Sequence, residues 1–254
     1  MDQYTKRKLK EQDQFLTVTE HGIEWANRNR KTAVVAAAVL IVFILAIVGA
    51  ATWRARRNAA AATAFGEAMQ TYDTPVALPD HPLNPGEKSF PSVKDRALAS
   101  NKQFVAVADK YTTEHDGKLA RYYAGLTYIE AGQNQSAEDT LKTVASGWNS
   151  NLSALAKLAL AQLYRSEGRN DDAIGLYKEL GNGNAATVPP GLAKIQLAEL
   201  YEQIGRTADA RVIYAKLKDS DKDAKGKEGP IGVLAEQKLN PAPAGGGLGL
   251  GGQQ

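Results

Sequence analysis

The chain has 254 residues, 31 Lys and Arg against 28 Asp and Glu, and no cysteine. The length allows one domain with appendages or two small domains, and the missing cysteine excludes disulfides, thiolate metal sites and cysteine nucleophiles. Residues 1–57 hold ten basic and five acidic residues while residues 58–254 hold 21 and 23, so the larger part lacks the basic footprint of a nucleic-acid binder.

Residues 1–31 form a charged tail with scattered apolar residues, Phe15, Leu16, Val18, Ile23 and Trp25 among them. Such a tail either lies as a helix on a membrane interface or is solvated. Residues 32–52 carry no charge for 21 positions. As a helix this run is about 31 Å long, enough for a hydrocarbon core of roughly 30 Å. Lys31 and Arg54 bracket it, and Trp53 stands where an interfacial aromatic belongs, so a transmembrane helix is expected over 32–53. Gly49 and Ala51 resemble a signal-peptide cleavage site, but the apolar run exceeds the roughly 7–15 residues of a signal core. The nearest flanking charges tie, Arg28, Arg30 and Lys31 against Arg54, Arg56 and Arg57. Lys6, Arg7, Lys8 and Lys10 tip the count toward a cytoplasmic N-terminus, which puts residues 58–254 outside the cytoplasmic membrane.

Residues 54–117 read as an Ala-rich helix, a Pro-rich loop and a degenerate first helical unit. The helix covers 58–73 and either continues the span or follows a hinge at 54–57. Five of the ten prolines fall in residues 74–92, where each removes a donor and restricts its predecessor. Helix resumes over 93–111, with Leu98, Val105 and Ala108 on one side and Tyr111 near its end.

Residues 118–239 read as three helical hairpins and a capping helix. Tyr128, Gly132 and Ala137 have the spacing Tyr-x3-Gly-x4-Ala, repeated by Tyr164, Gly168, Ala173 and by Tyr201, Gly205, Ala210. The glycines recur after 36 and then 37 residues, a period that signals a helix-turn-helix solenoid. Helices are expected near 118–131 and 134–146, 153–167 and 170–181, and 191–204 and 207–219. The glycines suit a left-handed helix end, and Asn134, Asn170 and Thr207 are expected to start the next helices as caps. The alanines allow close helix approach; the three tyrosines, with Tyr177 and Tyr214, are expected in the core. The cap covers 230–239, and residues 240–254, rich in Gly and Pro, read as a flexible tail.

These positions resemble the tetratricopeptide repeat. Gly125, Ala161 and Ala198 stand at its eighth, small position, and the Tyr, Gly and Ala triplets at its eleventh, fifteenth and twentieth. More narrowly, the order of charged tail, span ending in Trp53–Arg54, Ala-rich helix and hairpins resembles the single-pass tetratricopeptide proteins that serve as ancillary subunits of the bacterial Sec translocon. The Pro-rich loop and Gly-rich tail depart from that pattern. The resemblance implies a protein-binding adaptor with translocon subunits, a periplasmic chaperone or exported proteins as partners; a scaffold for outer-membrane or cell-wall assembly is the alternative. It also places the concave, partner-binding face at Leu119, Tyr122, Leu126 and Ile129, at Gln162 and Arg165, and at Ile195, Glu199 and Glu202. Leu155, Leu158 and Leu192 share those register positions and are read as packing against the preceding hairpin. The Lys/Asn clamp of cytosolic co-chaperones is absent, since Tyr122, Leu158 and Ile195 take the place of its leading basic residue.

No catalytic pattern accompanies the repeats. His21, His81 and His115 lie far apart, without helical ligand spacing for a metal. No phosphate loop, dinucleotide fingerprint or Gly-x-Ser-x-Gly occurs. A non-enzyme with no metal or cofactor is expected; an enzyme lacking a recognisable motif is the remote alternative.

Overall fold

The computed structural model describes residues 28–77, 88–222, 227 and 229–241. Most of the charged tail with His21, the centre of the Pro-rich loop with His81, and the Gly-rich tail from 242 lie outside the described residues. Those described form nine α-helices and no strand: α1 Arg30–Tyr72, α2 Val93–Lys110, α3 His115–Glu130, α4 Asn134–Ala145, α5 Ser150–Ser166, α6 Asn170–Gly181, α7 Pro190–Gln203, α8 Thr207–Ser220 and α9 Pro230–Leu239. The class is all-α, as expected. The chain divides into two units, Met1–Ala59 and Ala60–Gln254.

Helix α1 runs unbroken for 43 residues, with no hinge at 54–57. The Ala-rich sequence from Ala59 to Ala64 favours the helical state. In the first unit Val39, Leu40, Ile41, Val42, Phe43 and Leu45 are all exposed. This helix is long and apolar enough to cross a membrane.

The second unit opens with the last turns of α1, which bury Ala61 and Ala68 against α2 and α3. Phe104 of α2 stacks on Tyr123 of α3 with centroids 5.3 Å apart, and Phe65 of α1 meets both rings at 5.8 and 5.6 Å. Asn101 donates to Ala124 O at 2.9 Å and Thr127 Oγ1 at 3.0 Å. These contacts turn Ala97, Asn101, Phe104 and Ala108 inward. Leu98, Val105 and Ala108, read as one side of this helix, are therefore 39% exposed, half-buried and buried in turn. The ring of Phe104 and the buried amide of Asn101 set the rotation of α2. Where the Pro-rich loop leaves and returns, Ala77 N–H donates to Phe90 O at 2.9 Å and Phe90 N–H to Pro75 O at 3.0 Å, so its two ends are pinned together.

Each later helix packs on the next in sequence, and α3 also touches α5 while α7 touches α9. The three turns are built alike. Gly132, Gly168 and Gly205 have φ of 75°, 74° and 80°, a region that costs a side-chain-bearing residue about 1–2 kcal/mol. The residue after each glycine donates its N–H to the repeated tyrosine's carbonyl: Gln133 to Tyr128 at 2.8 Å, Arg169 to Tyr164 at 2.8 Å, Arg206 to Tyr201 at 2.7 Å. Each glycine N–H closes the inner bond, to Ile129, Arg165 and Glu202. This double closure satisfies carbonyls that a helix end leaves orphaned. Asn134, Asn170 and Thr207 do not cap: the N-cap positions are Gln133, Arg169 and Arg206, without side-chain cap bonds. The tight turn leaves only one residue between the glycine and the first helical position, so these polar residues are already inside the helix.

Ala137, Ala173 and Ala210 are fully buried where the paired helices cross. Gly125 meets the same demand from the other side, since a Cβ there would lie 2.6 Å from Leu141 Cγ. Helix α5 begins at Ser150, earlier than expected, because Asn149 accepts from the N–H groups of Asn151 and Leu152, both at 3.1 Å.

Candidate partner-binding face

The face expected to bind partners lies along α3, α5 and α7. Leu119, Tyr122, Leu126 and Ile129 are half-buried and pack against the main core cluster. Their helix presents its other side, Ala120, Tyr123 and Ala124, to α1 and α2. The apolar end of the face is thus a wedge between two cores rather than an open groove. Burial pushes the Tyr122 phenol up, with Tyr123 adding to the effect.

On α5, Leu155 and Leu158 are half-buried against the core, whereas Gln162 is exposed. Arg165 Nε donates to Gln203 Oε1 at 2.6 Å and ties α5 to α7. Tyr177 is fully buried, and its hydroxyl finds no hydrogen-bond partner among the described residues. Burial raises its pKa, and nearby Arg165 only partly offsets this.

On α7 the expectation fails at two positions. Ile195 is 1% exposed and belongs to the main core, so it offers nothing to a partner. Leu192, read as packed, is 37% exposed. Both follow from α7 being clasped between α6 and α8, which turns Ile195 inward and Leu192 out. Glu199 accepts from Lys238 Nζ of α9 at 2.9 Å and from Gln196 at 3.0 Å. Glu202 accepts from the buried Tyr214 hydroxyl at 3.1 Å. Burial, then the charge of Glu202, pushes the Tyr214 phenol up. The face therefore runs from half-buried apolar side chains on α3 to acidic ones on α7.

The repeat tyrosines are not equivalent. Tyr164 and Tyr201 are buried beneath the guanidinium groups of Arg169 and Arg206, 4.0 and 4.3 Å from the ring centroids. Tyr128 is followed at that position by Gln133; it is only half-buried and lines a cavity of about 280 Å³ with Arg121 and Asp139. It is not the core residue expected. Sequence reasoning also missed Glu138. This residue is 7% exposed, and its carboxylate accepts from Arg169 Nη1 at 2.6 Å, Lys142 Nζ at 2.6 Å and the Tyr164 hydroxyl at 2.9 Å. Arg169, then Lys142, hold its pKa at about 2 against burial, with Tyr164 adding to the effect. The available signal was the Gly-Arg pair at 168–169 and 205–206, each followed by Asp172 or Asp209, which accept from the arginine Nε.

The hairpin geometry and its turn chemistry are those of one family, and the similarity extends beyond the hairpins: the model of the tetratricopeptide repeat-like domain matches residues 24–229. The chain belongs to the tetratricopeptide repeat-like family. Neither a curated protein nor a solved structure matches it. The family match takes in α1 and α2 as well as the hairpins and stops short of α9. A tetratricopeptide-like array supports a role in protein–protein interaction. Among the described residues, no group of three or more His, Asp or Glu is placed to hold a metal ion. Trp53 and Arg54, with Lys31 at the other end of the apolar run, are exposed on α1, and Arg57 lies 5.6 Å over the Trp53 ring.

Proposed function

We propose that this protein is a single-pass membrane adaptor whose tetratricopeptide-like array stands in the bacterial periplasm beside the Sec translocon. There it holds newly exported proteins or recruits a periplasmic chaperone. One observation carries the reading: an interaction array of this family is joined to a helix whose apolar side chains are exposed all along residues 34–48. Exposed apolar surface on that scale is costly in water and calls for lipid. Lys31, Trp53 and Arg54 then lie at its two interfaces, and residues 32–53 are the anchor. The partner surface centres on Gln162, Arg165, Glu199 and Glu202, flanked by Leu119, Tyr122, Leu126 and Ile129; no cofactor or catalytic step enters.

A photoreactive residue at Gln162 or Glu202, used in native membranes, tests the reading. Crosslinks to a translocon component, a chaperone or exported clients are expected. Recovery of none of these refutes it, and partners that persist when export is blocked assign the protein to a fixed envelope scaffold instead. A reporter fused at the C-terminus reads the topology independently.

A further inference from the structure

The seam between α6 and α8 holds a cavity of about 190 Å³. Its apolar lining includes Leu197, Ile213 and Leu217, and three lysines, Lys178, Lys194 and Lys216, stand around it; no carboxylate lines it. None of the three lysines has an ion-pair partner among the described residues.

The preceding repeat shows what this seam has lost. Lys194 and Lys216 lie 37 residues after Lys157 and Glu179, the offset that also separates Gly168 from Gly205. Lys157 and Glu179 form an ion pair between α5 and α6. At the next seam the acidic member is replaced by Lys216, so attraction becomes repulsion. Lys178 lies 36 residues after Lys142, the earlier offset. Lys142 pairs with Glu138 at 2.6 Å, but the position corresponding to Glu138 is Ile174. Lys178 and Lys194 thus each lack the carboxylate that pairs with their counterparts one repeat earlier. The dipole at the end of α6 accounts for Lys178, which lies in that helix's last turn. It does not account for Lys194, which lies past the first turn of α7 and far from that helix's C-terminus. The Lys194 stem is laid close to Gly181, whose absent Cβ would sit 3.0 Å from Lys194 Cγ.

We propose that this seam is a second protein-docking site, which receives an acidic peptide segment carrying one apolar side chain. The apolar floor takes the side chain, and the flanking carboxylates restore the charge balance that Glu138 and Glu179 supply one repeat earlier. The cavity is too small for a typical cofactor or drug-sized ligand, which needs roughly 300 Å³ or more. It fits a single anchor residue.

The test uses the full chain in phosphatidylcholine nanodiscs. The probes are fluorescein-labelled pentapeptides with a central Leu, Ile or Phe between pairs of Asp or Glu, read by anisotropy. Binding of at least one peptide is expected, weakened at least tenfold by high salt or by Gln and Asn in place of the acids. Lys216→Glu recreates the earlier ion pair, so it should weaken binding at least tenfold while the melting temperature stays level or rises. That combination excludes simple unfolding. No binding by any peptide, equal binding of the neutral peptides, or unchanged affinity in Lys216→Glu overturns the proposal. Binding to phosphatidylglycerol vesicles with no peptide binding overturns it in favour of a lipid site. Crosslinking from Gln162 reports on the other face and is independent of this outcome.

Discussion

Glu138→Gln removes a charge and leaves an acceptor. The Tyr164 hydroxyl can still donate to the amide oxygen, whereas the bonds from Arg169 and Lys142 lose their ionic half. Both of those donors are partly open to water, with side chains 39% and 56% exposed. The loss at Glu138 therefore falls near the low end of the range for hydrogen bonds to a charged group, about 1.5 kcal/mol, or roughly tenfold in the folding equilibrium. The carboxylate is held at about 2, below its ordinary 4.5, so the native state binds fewer protons than the unfolded chain. Its stabilisation is complete above the unfolded value and is lost as pH falls through that value toward the folded one. The gap between wild type and Glu138→Gln should be full at about pH 7 and close progressively between about pH 5 and pH 2. Urea unfolding of the full chain in detergent micelles, followed by circular dichroism, measures it. No gap at neutral pH, or a gap that does not narrow on acidification, refutes the claim that this carboxylate clamps the first two hairpins together.

Gly168→Ala should destabilise by about 1–2 kcal/mol through backbone strain alone, because φ is 74° and nothing lies within 4 Å of the new methyl. Gly175→Ala, inside α6 with equally open space, should instead stabilise by about 0.5–1 kcal/mol; parallel urea curves separate the two. Ala173→Leu should overpack the second crossing and cost about 1–3 kcal/mol, and an unchanged melting temperature would show that the crossing is misplaced. Tyr177→Phe removes a buried hydroxyl that makes no hydrogen bond among the described residues, so it should be neutral or stabilise by up to about 1 kcal/mol; clear destabilisation would show that the nearby Arg165 is its partner.

Helix positions, turn glycines and buried alanines were all legible in the sequence, because each rests on a local rule. A left-handed turn needs glycine, and a close crossing needs a small residue, whatever the partner helix carries. The apolar run before Arg54 was legible for the same reason: its length and lack of charge are properties of consecutive residues. What failed was local reasoning about non-local choices. Ile195 was placed on the concave face by the register of the repeat, but an apolar residue does not state which neighbour it will meet. The clasp of α6 and α8 around α7 turned it into the core. Asn134, Asn170 and Thr207 looked like caps, yet turn length put them one position too late.

The three-fold Tyr, Gly and Ala pattern by itself determined an all-α array of hairpins, since each motif encodes one helix end and one crossing. Only the tertiary structure decided which charges are answered. Glu138 meets Arg169, 31 residues away, and Glu199 meets Lys238 on α9. Lys194 and Lys216 line a cavity with no carboxylate in its lining. Ion pairing depends on distances between helices that a linear repeat does not specify, and small departures between repeats are where binding specificity can enter.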